Sequence, residues 1–412
     1  RVQTDQFNVN VGGKLNISGA DIQAKNSNIL GGNVHLGAEK TVNLREHSKN
    51  QSKGSWYRNE QESNRVETTH RTTIAGDSVN IEATKGKVTT EGAKVSAKTT
   101  AIYGEQGVNL RGAKATTTQM ARAEFKNETA RLKTGLSSQD SSVQHYTATE
   151  LTTKQDLILG GKGDLYLNGV VANVDGTLLA KNSGSLSFGS ERSSESYNLS
   201  DDMRFWGGLA GSKTVGTGRS AETVHGADIT VKGDTTLDAS RGVHISGSRV
   251  VTGGNGVVKG NAGALVIDST QAKTTAVDYA RQGTIFDITK ARQSSYTHTS
   301  TAKGSTLKSE SNLQLSTNKN VSIVGSTVQS AGLLDIAAKS GIEVKGAANH
   351  VRTESSKAGF SFAGGFDSLK TSFQHGHLTA NLNIDNSKGT PSVDSDVEIS
   401  KEKKADSVNA EG

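Results

Sequence analysis

Short runs of alternating apolar and polar residues recur along the chain, separated by Gly, Asn, Asp or Ser. They fall into five blocks. Residues 12–44 hold LNI, DIQA, NVHL and TVNL; residues 76–110 hold SVNI, KVTT, KVSA, TAIY and GVNL. Residues 155–188 hold DLIL, DLYL, ANV and SLSF. Residues 226–267 hold DITV, TTLDA, GVHI and ALVI, and residues 312–344 hold NLQL, NVSI, LLDI and GIEV. Alternation puts every second side chain on one face of a strand. Within a block, apolar pairs return about every twenty residues. Leu15 and Ile17 are followed nineteen residues later by Val34 and Leu36, and Val321 and Ile323 twenty-one later by Ile342 and Val344. An antiparallel sandwich would also alternate, but it needs hairpin pairing rather than a fixed coil length. The pattern therefore predicts an all-β fold, a right-handed parallel β-helix (solenoid) in which each coil stacks on the last. About twelve coils spaced about 4.8 Å apart would make a rod about 60 Å long.

Five inserts of different character follow the blocks, at residues 46–73, 116–152, 190–224, 269–306 and 349–377. They are rich in Ser, Thr and mixed charge, and they hold fourteen of the eighteen aromatics. They are expected to protrude from the rod as β-hairpins or short helices. MARAEFKNETARLKTGL puts Phe125, Leu132 and Leu136 on one helical face, whereas KAGFSFAGGFDSLKTSF alternates around Gly-Gly and reads as a hairpin. Residues 1–385 thus form the repeat region. Residues 386–412, with the single Pro and a charged end, read as a flexible tail or linker.

Composition supports the solenoid. Hydrophobic residues are 32% and aromatics 4%, thin for a compact core of 412 residues. A net charge of only +6 and many β-branched residues argue against disorder. The 47 glycines suit corners, and a single Pro suits a chain that is mostly hydrogen-bonded ladder. With no Cys there is no disulfide framework and no Cys-based zinc site. No apolar run is long enough to span a bilayer as a helix. The opening RVQTDQFNVNV lacks the marks of a signal peptide and does not begin with Met, so the sequence reads as a piece of a longer chain. The 47 Lys and Arg are interleaved with 41 acids, without the clustered positive face of a nucleic-acid binder.

Little here points to catalysis, and no enzyme activity or cofactor is expected. Polysaccharide-cleaving β-helices gather acids on one face, whereas here they are scattered. Asp201 and Asp202 are adjacent, so a strand would send them to opposite faces. His375 and His377 share a strand side but lack a third ligand, so no metal site is assigned. His244 should point outward. The KGD triplets at 162–164 and 232–234 read as chance in a Gly- and Lys-rich chain, and GGKGDL at 160 is one isolated copy of a calcium-repeat-like motif. The aromatic inserts are the best contact candidates: Trp56, Tyr57, Phe205, Trp206, Phe360, Phe362 and Phe366. The plainer reading is that these residues cover the rod or its sheet edges.

The stretch NVSIVGSTVQSAGLLDIAAKSGIEVKGAANHVRTESSKAGFSFAGG resembles the haemagglutinin repeat of filamentous-haemagglutinin-type exoproteins. Its marks are a GS-x-V-x-A-G core, two alternating strand pairs, and a Ser-rich segment ending in Gly and Phe. Blocks four and five resemble it closely, one and two fairly well, three loosely. The resemblance implies a parallel β-helix, export by an outer-membrane two-partner transporter, and a secreted, cell-surface filament of a Gram-negative bacterium, with periplasmic retention until contact as one stage. In contact-dependent growth inhibition exoproteins, similar repeats help deliver a C-terminal toxin across the outer membrane of a target cell. The partners implied are neighbouring repeats, that transporter, and the target outer membrane or its surface proteins, with no nucleic acid. The alternatives are a filamentous adhesin segment binding host-cell glycans and, more distantly, a β-helical polysaccharide-acting enzyme. Neither an N-terminal secretion domain nor a Val-Glu-Asn-Asn toxin boundary is found, so toxin activity is expected outside these residues.

Overall fold

Val79 and Ile81 lie against Thr100 and Ile102, twenty-one residues further on, in a parallel pairing with six residues in register. That contact, repeated, builds the molecule. The computed structural model describes residues 1–54, 56–127, 133–205, 211–284, 289–361, 383–385 and 398–399. Among these there is no helix, and the strands form two systems: a parallel rod and an antiparallel wing.

Three short strands make each coil of the rod. Ser78–Ala83, for example, sits between Thr73–Ala75 and Val88–Glu91 in sequence, and each strand pairs with its counterpart one coil later. Ten coils stack in this way, from Val2–Ser18 to Thr327–Ser330, Leu334–Ala338 and Gly341–Lys345. Each block of the sequence supplies two coils, fewer than the twelve expected, and the rod is about 45 Å long. The predicted partners meet as read: Leu15 and Ile17 face Val34 and Leu36, and Val321 and Ile323 face Ile342 and Val344.

Inward residues form continuous columns. In one, Ile22, Ile74, Val95, Leu151, Ala172, Ile229, Val250, Leu307 and Val328 are all buried. Each large side chain removed from water is worth about 1.5–3 kcal/mol relative to exposure, and only neighbouring coils need supply its contacts. This is how a chain so poor in apolar residues fills a core. Among the described residues Phe188 is the only aromatic within the buried apolar cluster.

Two kinds of corner alternate where the third strand of a coil ends. In one, the chain turns directly into the next coil through a left-handed glycine; Gly169, Gly247 and Gly325 (φ 60°, 57° and 55°) stand seventy-eight residues apart. Non-glycine residues resist that conformation. In the other, the chain leaves the rod, makes a long hairpin and returns. The hairpin strands are residues 38–53 with 56–71, 113–127 with 133–147, 190–205 with 211–226, and 270–284 with 289–303, and His350–Ser361 leaves the rod in the same way. The repeating unit is therefore two coils and one hairpin.

Where the strand departs, the last coil carbonyls accept from Gly19, Gly92, Gly169 and Gly247 N of the preceding coil, and hydroxyls supply a second donor. Thr72 donates to Gly37 O, Thr149 to Arg111 O and Ser305 to Asp268 O, each at 2.6 Å. At the third exit Ser248 from the coil above donates to Gly189 O (3.2 Å).

Each hairpin also pairs with the next, so residues 38–53, 56–71, 113–127, 133–147, 190–205, 211–226, 270–284, 289–303 and 350–361 form one antiparallel sheet. Its strands of about fifteen residues extend about 50 Å. No described wing residue belongs to the buried apolar cluster. The wing is a single layer wet on both faces.

Three expectations need correction. Residues 120–127 and 133–136 form no helix: 113–127 and 133–147 are strands, and 113–127 is flanked by two strands at once, a pairing that overrides local helix preference, while Leu132 lies outside the described residues. TVNL belongs to the first hairpin, not to the coil, with Val42 and Leu44 50% and 60% exposed. The returning coil strands Thr73–Ala75, Glu150–Thr153 and Thr306–Ser309 begin inside the expected inserts 46–73, 116–152 and 269–306 and lie outside the expected blocks. Each carries a single large apolar residue among Thr and Ser, too weak an alternation to read.

Candidate contact surface

The described outer ends of the hairpin strands line up along one border of the wing, where backbone register sets aromatic opposite basic residues. In backbone register Trp56 stands opposite Lys53, Tyr57 opposite Lys126, Phe125 opposite Arg58, Phe205 opposite Lys133, and Phe360 opposite Lys290. Trp56 and Tyr57 are half-buried and Phe205 is 37% exposed. The Tyr57 hydroxyl donates to Glu124 Oε1 (3.0 Å), which raises its pKa. The sequence singled out the aromatics; only the pairing reveals their basic partners. Trp206, Phe362 and Phe366 lie outside the described residues, as do His375 and His377.

Phe125 and two aromatics away from the border also act as structural covers. Phe125 lies over Gly135, Tyr279 over Gly216, and Tyr146 over both Gly112 and Gly169, so closely that a Cβ at any of these glycines would run into the ring or its hydroxyl. Such rings shield backbone that glycine leaves bare. Tyr146 also stacks on His225 with centroids 4.2 Å apart and donates to Gly169 O at 2.7 Å. Burial raises the Tyr146 pKa, with Glu191 adding to the effect. This cluster joins wing to rod. Ser193 Oγ lies 2.8 Å from His225 Nε2, a pair of the nucleophile-and-base kind. Burial lowers the His225 pKa, and the nearby charges are Lys303 and Lys114, the opposite of a carboxylate that orients a base.

Polar links hold hairpin to hairpin. Glu67 accepts from Thr116 N (3.0 Å), Lys114 pairs with Glu191 (2.9 Å), and Asp278 accepts from Arg219 (2.9 Å) and Thr217 (2.6 Å). Asp201 and Asp202 alternate along a strand as read, and Asp202 pairs with Arg204.

On the rod, the KGD residues are committed to corners. Lys162 pairs with Glu105 (2.6 Å), while Asp164 accepts from Ser185 N and Arg241, both at 2.8 Å. Lys232 pairs with Asp175 (2.7 Å), and Asp234 accepts from Asn255 N (2.7 Å). Each Asp staples its corner to the one twenty-one residues later. His244 points outward as expected and meets Asp268 at 3.1 Å; that hydrogen bond raises its pKa. Among the described residues no three His, Asp or Glu cluster as metal ligands, and no helix is long and apolar enough to cross a membrane.

The hemagglutinin repeat family matches residues 52–203 and 286–409. A hemolysin of Proteus mirabilis is 27% identical over 291 residues, covering 70% of this chain and 18% of that protein. A hemolysin of Serratia marcescens is 26% identical over 351 residues, covering 84% of this chain and 22% of that protein. The chain thus spans about a fifth of the length of these curated relatives. No solved structure matches it.

Proposed function

Because the chain belongs to the hemagglutinin repeat family, we propose that it is a non-catalytic filament segment of a secreted Gram-negative exoprotein, exported by a two-partner transporter. The segment holds the target cell and helps pass a C-terminal toxin across the target outer membrane, in contact-dependent growth inhibition. One observation carries this reading: the aromatic and basic pairs along the wing border. Trp and Tyr favour the boundary between apolar and aqueous phases, and each Lys or Arg near an anionic surface adds about 1 kcal/mol. The pairs involving Trp56, Tyr57, Phe125 and Phe205 repeat that chemistry hairpin after hairpin. The two relatives, both named hemolysins, fit a membrane-directed role. Rod and neighbouring repeats supply the length that holds the border away from the producing cell.

Vesicle flotation tests the contact. The chain should float with anionic vesicles, less with zwitterionic ones, and the double variant Trp56→Ser with Phe205→Ser should bind about tenfold less. Equal flotation of variant and parent would remove the border from the mechanism. Deleting this segment from the full exoprotein while keeping its receptor-binding region should abolish target killing; unchanged killing would sink the delivery role.

A further inference from the structure

Midway along the first two hairpins, one face of the wing carries a hollow of about 340 Å³, lined by Arg45, His47, Glu62, Asn64, Gln119 and Gln139 with Ala121 as its floor. Register makes this a built arrangement. His47, Glu62, Ala121 and Gln139 form one cross-strand row, and Arg45, Asn64 and Gln119 lie in the row two residues away, on the same face. Small Ala121 leaves the space, and longer polar side chains surround it.

Within the described protein these polar groups have no partner: Arg45, His47, Glu62, Gln119 and Gln139 are exposed, and only the Asn64 carbonyl at their centre is shielded. Among the described residues the side chains of Arg45, His47, Glu62, Gln119 and Gln139 make no hydrogen bond or ion pair, and Asn64 Oδ1 is shut off from solvent without a donor. Elsewhere on the wing several such groups are matched: Arg58 with Glu60, Arg65 with Glu67, Arg219 with Asp278. A shielded acceptor without a partner calls for a reason. The unmet demands define a ligand. Asn64 Oδ1 and Glu62 need donors, the two Gln amides offer both kinds of atom, and Arg45 offers a fork suited to a carboxylate.

We propose that this hollow binds an acidic saccharide, its hydroxyls on Glu62, Asn64, Gln119 and Gln139 and its carboxylate on Arg45. The volume falls at the small end of ligand pockets, the scale of one or two sugar rings. The hollow lies about 20 Å inward from the tip border, so it stands or falls independently of membrane contact.

Saturation-transfer NMR on the whole chain tests it, with 3′-sialyllactose, a glucuronate-terminated disaccharide and lactose at millimolar concentration as probes. Transfer to one or both acidic probes, at least about tenfold stronger than to lactose, is expected, and the preferred probe distinguishes sialic from uronic acid. Ala121→Trp, which fills the floor, and Arg45→Ala should each weaken it about tenfold. Ser295→Ala, in the same row on the fourth hairpin, should leave it unchanged, and circular dichroism checks that every variant folds. No transfer from any probe, equal transfer from all three, or transfer that survives a folded Ala121→Trp or Gln119→Ala overturns the assignment.

Discussion

In the rod, Ile229 stacks between Ala172 and Val250 and is fully buried. In the wing, Val215 lies between Asp201 and Ala280 with 38% of its surface in water. Both are β-branched residues at the centre of a three-strand pairing, yet only the first is removed from solvent. The rod is held by columns of apolar side chains that add up coil by coil. The wing is held by its backbone ladder, by links such as Lys114–Glu191, and by rings laid over glycines. Scarcely any wing side chain is needed for packing, so its positions are open to contact chemistry. The rod has no such freedom.

The sharpest way to break this comparison is to truncate both residues. Ile229→Ala should cost about 2–5 kcal/mol in urea unfolding. Val215→Ala should stay within about 0.5 kcal/mol, as an exposed substitution. Equal losses would mean that the wing packs as a core does.

The junction comes next. Gly169 adopts φ 60° beneath the Tyr146 hydroxyl, so Gly169→Ala meets both a disfavoured backbone and a clash. A loss of about 2 kcal/mol is expected, of which the left-handed conformation alone supplies about 1–2. Because the hydroxyl is the nearest obstacle, adding Tyr146→Phe should recover part of the loss, and a double-mutant cycle by urea unfolding measures it. Simple additivity would place all the strain in the backbone.

Hydroxyls separate the regions more gently. Thr149 is fully buried and donates to Arg111 O where the chain leaves the rod. Thr149→Val removes that bond, leaving Arg111 O to Gly92 N alone, and strands the buried Thr90 hydroxyl 2.9 Å away, and should cost about 1–3 kcal/mol by urea unfolding. Thr68 meets Thr41 at 2.6 Å on the exposed wing, where water replaces the lost bond. Thr68→Val should change stability by less than about 0.5 kcal/mol.

The sequence disclosed the rod more fully than the wing, for a physical reason. Stacking demands a hydrophobic signature at fixed intervals, and Leu15, Ile17, Val34 and Leu36 display it openly. A sheet wet on both faces demands no such signature. Residues 120–136 read as a helix because nothing local records that strands lie on both sides of 113–127. Exposed Val42 and Leu44 imitated a coil strand for the same reason. The aromatics at 56, 57 and 205 stood out by type, but their basic partners are distant in sequence for Tyr57 and Phe205 and emerge only from register. The hollow over Ala121 draws on four strands and leaves no linear trace.

The smallest expected effect uses two histidines with opposite shifts. At the wing base, burial lowers the His225 pKa below 6.5, helped by Lys303 and Lys114. The folded state then binds fewer protons than the unfolded chain once pH drops under 6.5, so His225 costs stability on the acid side. On the rod, the hydrogen bond to Asp268 outweighs burial and raises the His244 pKa above 6.5. That contribution is complete below 6.5 and is lost as pH rises through the folded value. For Asp268, burial opposes ionisation, but the bonds from His244 and Ser246 prevail and keep it ionised through this range. The two histidines therefore partly cancel near neutrality, and substitution uncovers each. His225→Gln should flatten the acid-side fall in the urea midpoint between pH 7 and pH 5, while His244→Gln should steepen it. Ring resonances followed by NMR should show His225 titrating at lower pH than His244. If both rings titrate together, the wing base is as open to water as the rod surface, and the junction is not the buried joint that Tyr146 and Ser193 make it.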